Sequence, residues 1–346
     1  MGPRRARVSA SDVAREAGVS RTTVSFVLNN TPGKSITETT RQRVLAVAAR
    51  LGYTPNESAQ RLARTRNRCI GLFICHSQFL YSDAFITRAM EGMSQAANRL
   101  RARLIVQPVS LRQTSYLSIA RRDEVDGIVL INTHGDDPGL GELADERFPT
   151  VSMDYIDSIA IDQVYVDNEA AAHEVVQHLT ELGHRRIAMI AHAPPLFFAS
   201  RARIAGYSRA LADVGVEYDP AIVRHADFSE RSGYDRMIEL METDDEFTAV
   251  FAANDVVAYG AMQALLHSER RIPQDVSLVG MDDDYMSRFL SPPLTTMALP
   301  AAGHGSAAVE VLMERIEGEL GPPPVHRLLK AHISIRQSSG TPRVQP

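Results

Sequence analysis

Between residues 9 and 51 apolar positions return every three or four residues, the period of short helices that each bury one stripe. The segment opens SASDVAREAGVSRTTVSFVLNN. Ser9 is placed to cap a first helix, with Asp12 at its third position complementing the free amides, and Gly18 suits the left-handed residue that ends it. Ser20 caps a second helix so soon afterwards that the pair is joined by a tight turn, as in a helix-turn-helix. Val24, Val27 and Leu28 share one face of that helix, while Arg21, Thr22, Ser25, Phe26 and Asn29 share the other. Val13, Ala14, Ala17 and Val19 supply the facing surface. A third helix over about Thr37 to Leu51 adds Val44, Ala48 and Leu51, so three short helices close one small core.

Past residue 68 the apolar positions bunch into short uninterrupted runs that alternate with amphipathic helices. The runs are residues 69–74, 103–109, 126–132 and 149–154, then 185–191, 248–255 and 275–283. Continuous apolar strands between helices predict parallel sheets covered on both faces, and two series predict two doubly wound α/β lobes. In such sheets ligands bind beyond the carboxyl ends of the strands, where Asp154, Asn254, Asp255, Asp282 and Asp283 fall by sequence. The expected site is a cleft between the lobes.

The 346 residues and 44% hydrophobic content support two or three packed units and exclude a disordered chain. Two cysteines, Cys69 and Cys75, cannot form a disulfide framework and are expected as buried thiols in a reducing compartment. The most apolar stretch, around Ile187 to Phe198, is broken by His192, Pro194 and Pro195, and the basic N-terminus has no apolar segment behind it. The expectation is a cytoplasmic protein with no membrane association. Charge is uneven: residues 1–68 hold 13 Lys+Arg against 4 Asp+Glu, a net +9, and the remainder holds 24 against 38, a net −14. A basic module on an acidic body points to a polyanion partner held at one end.

The outward face of the second helix carries what a major-groove reader needs. Arg21 has the fork for a guanine edge, Thr22 suits a base or phosphate, and an exposed Phe26 suits a thymine methyl. With Ser20, Thr23, Ser25 and Asn29 these residues make up the expected contact with duplex DNA. Further on, Asn56 to Arg64 is a capped, helix-favouring stretch too short to be stable alone, so it is expected to order only on binding.

These segments, DVAREAGVSRTTVSFVLN at 12–29, ETTRQRV at 38–44 and LGYTPN at 51–56, resemble the LacI/GalR family of bacterial transcriptional regulators, and the similarity runs through the whole chain. The resemblance implies a headpiece over 1–55, a hinge helix and linker over 56–67 and a core over 68–346. The core's N-lobe spans about 68–165 and 297–327, and its C-lobe about 166–296 and 328–346. It makes Asn56, Ala59, Leu62 and Ala63 part of the DNA contact, with Leu62 as a wedge between base steps in the minor groove. It also implies a core like that of periplasmic sugar-binding proteins, with the chain crossing three times between lobes. RIAGY at 203–207, AND at 253–255, GMDD at 280–283 and ADFSERSGY at 226–234 then place Arg203, Asn254, Asp282 and Phe228 around a small effector, with Asp154 beside them. A fork, an amide, carboxylates and an apolar plate suit a sugar or sugar derivative.

The first cleft loop, CHSQFLYSDAF at 75–85, lacks the Asn-Pro-Phe common in the family, so Tyr81 and Asp83 are assigned by position alone. PPLFFAS at 194–200 is unusually apolar, and Phe197 or Phe198 is expected at the pocket or a subunit contact. His173, Glu174 and His178 miss the spacing of a zinc protease motif, and Gly303-His304-Gly305 lacks the third glycine of a dinucleotide fingerprint. No cofactor, metal or catalytic residue is expected. The tail has no leucine heptads, which favours a homodimer. The expectation is a repressor of carbohydrate-related genes that binds double-stranded operator DNA under control of the effector. The alternative is an α/β sugar- or nucleotide-processing enzyme with a helical appendage, which would need an activated nucleophile, metal site or cofactor loop.

Overall fold

The computed structural model describes residues 9–28, 36–51, 53, 68–75, 83–110, 115–243 and 246–343. It falls into two compact units, Met1–Asn67 and Arg68–Pro346. In the first, helices α1 (Ala10–Ala17), α2 (Arg21–Leu28) and α3 (Glu38–Leu51) pack around one another. A reciprocal capping box starts α1: the Asp12 amide donates to the Ser9 hydroxyl, and the Ser9 amide donates to the Asp12 carboxylate at 3.0 Å. Gly18 ends it at φ 62°, where a side chain would add strain. The Thr23 amide donates to Ser20 Oγ at 3.1 Å, so α2 is capped as the sequence predicts. Val13, Ala14, Ala17, Val24, Val27, Val44, Val47 and Ala48 form the buried core, with Leu28 and Leu51 packed at its edge.

The second unit contains two sheets. The first sheet holds β1 (Cys69–Cys75), β2 (Arg103–Val109), β3 (Gly127–Ile131), β4 (Thr150–Ser152), β5 (Asp162–Val166) and β11 (His326–Leu329), in the order β11-β5-β4-β3-β1-β2. The second holds β6 (Ile187–Ala191), β7 (Val223–His225), β8 (Ala249–Ala252), β9 (Ser277–Asp282), β10 (Thr295–Ala298) and β12 (His332–Ser334), in the order β12-β10-β9-β8-β6-β7. All pairings are parallel except β10 with β12. Each apolar run seen in the sequence becomes a strand. Strands β5, β7, β10, β11 and β12 come from stretches with no such run: β11 is mostly exposed and β7 and β12 are three residues long, while β5 and β10 are buried but carry the polar Asp162, Gln163, Thr295 and Thr296.

The chain crosses between sheets after β5, after β10 and after β11, which makes two lobes joined by three strands of chain. β10 stays with the second sheet to Ala298, and β11 stays with the first to Leu329. Helices α4 (Ala84–Arg99) and α11 (Ala301–Glu317) cover one face of the first lobe at very close range. A Cβ on Gly92 would sit 1.8 Å from the Ala302 carbonyl oxygen, and one on Gly305 would sit 2.0 Å from that of Ala89. Only glycine permits this approach, which gives Gly305 a packing role. Ile70, Leu72 and Ile74 on β1 are wholly buried, each contributing about 1.5 to 3 kcal/mol relative to exposure. No helix among the described residues is long and apolar enough to cross a membrane.

Candidate functional site

In the first unit Val24 and Val27 point inward while Arg21 and Thr22 are exposed and Thr23 is half-buried. Ser25 lies in the same helix. Phe26 is half-buried, a correction to the expectation of an exposed ring; α2 is one short helix held between two neighbours, which leaves few of its positions fully open. Asn29, Asn56, Ala59, Leu62, Ala63 and Tyr81 lie outside the described residues.

In the second unit a cavity with about 540 Å³ of empty space, its mouth included, lies between the lobes. Asp83, Asp154, Arg203, Phe228, Asn254 and Asp282 all line it. Asp83 caps α4, accepting from the Ile86 amide at 3.1 Å. Asp154 follows β4 and accepts from both the amide and the hydroxyl of Thr133, at 2.8 and 2.7 Å. Asn254 caps α10 (Asp255–His267) by accepting from the Val257 amide at 2.9 Å, which leaves its amide hydrogens for the cavity. Asp282 ends β9 in a left-handed conformation at φ 128°, and Phe228 is held at φ 72°. Non-glycine residues adopt such backbone only when their surroundings over-determine it.

Arg203 is the hub. It rises from α8 (Phe198–Ala212) and is 7% exposed. Its Nε donates to Asn168 Oδ1 at 2.8 Å, Nη1 donates to the Ala253 carbonyl, and Nη2 lies 4.0 Å from the Asp282 carboxylate. Burial lowers the guanidinium's pKa, and the fields of Asp282, Asp154, Asp83 and Asp255 oppose this. Burial also pushes the carboxyls of Asp83 and Asp154 up and that of Asp282 well up, with Arg203 pulling each back. The cavity therefore gathers three carboxylic side chains around one cation.

Sequence reasoning missed Asn168, which steers Arg203, and two histidines in the lining, His192 and His304. His192 follows β6 and lies edge-on to Phe228 at 5.3 Å, and His304 lies in the first turn of α11. Asp255, expected at the same strand ends, is not in the lining. Its wholly buried carboxylate accepts from Ser287, Thr296 and the Asp284 amide at 2.5, 2.6 and 2.9 Å, and burial lifts its pKa to about 6. Asp283 pairs instead with Arg336 at 2.5 Å.

Phe197 is buried against Phe228 at 5.2 Å, and Phe198 packs against the first lobe's core; neither lines the cavity. The segment carrying them bridges the lobes: the Gly135 amide donates to the Leu196 carbonyl at 3.1 Å, and the Phe198 amide to that of Thr133 at 3.3 Å. Thr133 thus joins this bridge to Asp154 in the cavity. His173 and His178 bond Asp213 and Ser339 at 2.6 and 3.0 Å.

Residues 9–56 match the model of bacterial regulatory proteins of the lacI family, and residues 176–339 match a periplasmic binding protein-like domain. The chain is 32% identical to the HTH-type transcriptional regulator CelR of Thermobifida fusca, over 97% of this chain and 99% of that one. Among solved structures, a transcriptional regulator CelR-cellobiose complex superposes with a TM-score of 0.72 at 31% identity, covering 96% of this chain and all of that one. The lac repressor dimer bound to operator and the anti-inducer ONPF superposes with a TM-score of 0.85 at 27% identity, covering 96% and 99%.

Proposed function

The chain belongs to the lacI family of bacterial regulatory proteins, and from that premise we propose that it is a homodimeric repressor of carbohydrate-related genes whose grip on operator DNA is set by a sugar-like effector in the interlobe cavity. The observation that carries this reading is the pairing, in one chain, of a capped helix with Arg21 and Thr22 on its open face and an interlobe cavity ringed by Arg203, Asp83, Asp154, Asn254 and Asp282. Two headpieces presented by a dimer match a near-palindromic operator. A superposable regulator carries cellobiose, and the superposable lac repressor is a dimer on its operator.

Ser20, Arg21, Thr22, Thr23, Ser25, Phe26 and Asn29 are assigned to the major groove, and Asn56, Ala59, Leu62 and Ala63 to the hinge contact. Tyr81 is assigned to the cavity with the residues that line it. The effector acts by binding two lobe arrangements unequally, and the bridge from Asp154 through Thr133 to Phe198 gives it a physical route to bias them. No catalytic step is assigned to these residues, and the cytoplasm is where such a regulator meets DNA. The test is selection of duplexes from a random pool by the purified chain, then titration of the winner at rising salt. A palindromic consensus and affinity that falls steeply with salt support the reading; indifference to sequence contradicts it. Leu62→Ala is expected to weaken operator binding far more than thermal stability.

A further inference from the structure

His304 is 3% exposed and held edge-on to Phe85, with ring centroids 6.0 Å apart. Its Nε2 lies 2.6 Å from the Val164 carbonyl oxygen. A carbonyl only accepts, so Nε2 carries the hydrogen and Nδ1 is left as a lone pair. That lone pair has no hydrogen-bond partner among the described residues, and His304 lines the interlobe cavity. An unsatisfied buried acceptor is costly enough that its persistence needs an explanation. Around it the cavity already presents the carboxylic groups of Asp83, Asp154 and Asp282 against the one guanidinium of Arg203, two of whose five hydrogens go to Asn168 and Ala253. Carboxylic groups outnumber cationic ones on this wall three to one.

We propose that His304 is a specificity-determining residue whose Nδ1 accepts a hydroxyl hydrogen from the effector, and that three carboxylic groups facing one guanidinium restrict the effector to neutral polyhydroxyl compounds, against sugar acids and sugar phosphates. This rests on the cavity being the effector site. A hydroxyl brings a donor to the lone pair, whereas a carboxylate or phosphate brings only further acceptors and negative charge toward three carboxylic groups.

The experiment is calorimetric titration of the full chain with cellobiose, ribose and glucose, and with glucuronate and glucose 6-phosphate, using wild type, His304→Gln and His304→Asn. Glutamine reproduces Nε2 and keeps the bond to Val164 but loses the Nδ1 acceptor; asparagine places its oxygen near Nδ1 and loses the bond to Val164. The expected result is that a neutral sugar binds wild type and the anionic ones do not. His304→Gln then loses about tenfold or more in affinity at near-normal thermal stability. His304→Asn keeps most of the affinity at lower stability. A purely structural histidine gives the reverse order, which overturns the assignment while leaving the effector site in place. Binding of the anionic sugars overturns this inference and leaves the effector reading in place; binding of none of the sugars overturns both. In ¹⁵N-histidine spectra of the sugar-free chain, a His304 ring protonated at Nδ1 at neutral pH contradicts the assignment directly.

Discussion

The headpiece and the cavity handle charge in opposite ways. On the headpiece Arg21 is exposed and stands outside the apolar core, so it can change without disturbing the fold. In the cavity Arg203 is buried among groups that depend on it, so the proposed effector contacts and the stability of the core share the same side chains. The lesson is that Arg21, proposed to read bases, is replaceable at little structural cost, while Arg203 is not.

Four substitutions probe this contrast. The largest effect is expected for Arg203→Ala, which leaves Asp282 and its neighbours without their cation: urea denaturation is expected to show the core losing about 3 to 5 kcal/mol. A core as stable as wild type would contradict the account. Val24→Ala opens a hole in the headpiece core, where Val24 is wholly buried, and about 2 kcal/mol is a reasonable cost. Here DNA binding is expected to fail while the denaturation of the core is unchanged. Arg21→Ala is expected to lower preference for the selected operator by about 1 to 3 kcal/mol with no change in either unfolding transition. Loss of stability in that variant would erase the distinction between the two regions.

The fourth is a pH effect. Asp255 is raised by burial to about 6 in the folded chain, above its ordinary carboxyl value of 3.8. A carboxyl raised on folding favours the folded state most fully at pH below the unfolded value, and that contribution is lost as pH rises through the folded one. His304, lowered by burial to about 4, works the other way: its neutral form favours folding above the ordinary 6.5, and the contribution is lost as pH falls toward 4. The opposing trends are separated by comparing variants. Relative to Asp255→Asn, wild type is expected to lose stability as pH rises through about 6, measured by thermal melts in matched buffers. A constant difference across that range would contradict the assignment.

The headpiece was legible because its signals are local. Ser9, Asp12, Gly18 and Ser20 lie within a few residues of the helix ends that they cap, and Val24 and Val27 repeat with the helix period. The central strands were legible because burial on both faces leaves uninterrupted apolar runs, as in β1 and β6. Strands β11 and β12 were not, since an exposed or very short strand leaves no such run. In the cavity, Arg203, Asp282 and Phe228 were reached through likeness to a family. Asn168, His192 and His304 are brought there by a helix start, a strand end and a second helix start far apart in sequence, and no local spacing marks them. His304 had drawn notice only through its flanking glycines, of which Gly305 serves close helix packing.

The most direct test of the central claim is fluorescence anisotropy of the full chain on its selected operator, titrated with neutral sugars in the presence of random competitor DNA. Sequence-preferring binding whose midpoint shifts with one neutral sugar, and no longer shifts in Arg203→Lys, is the predicted result. Binding that ignores sequence, or a sugar response that survives unchanged in that variant, would contradict it.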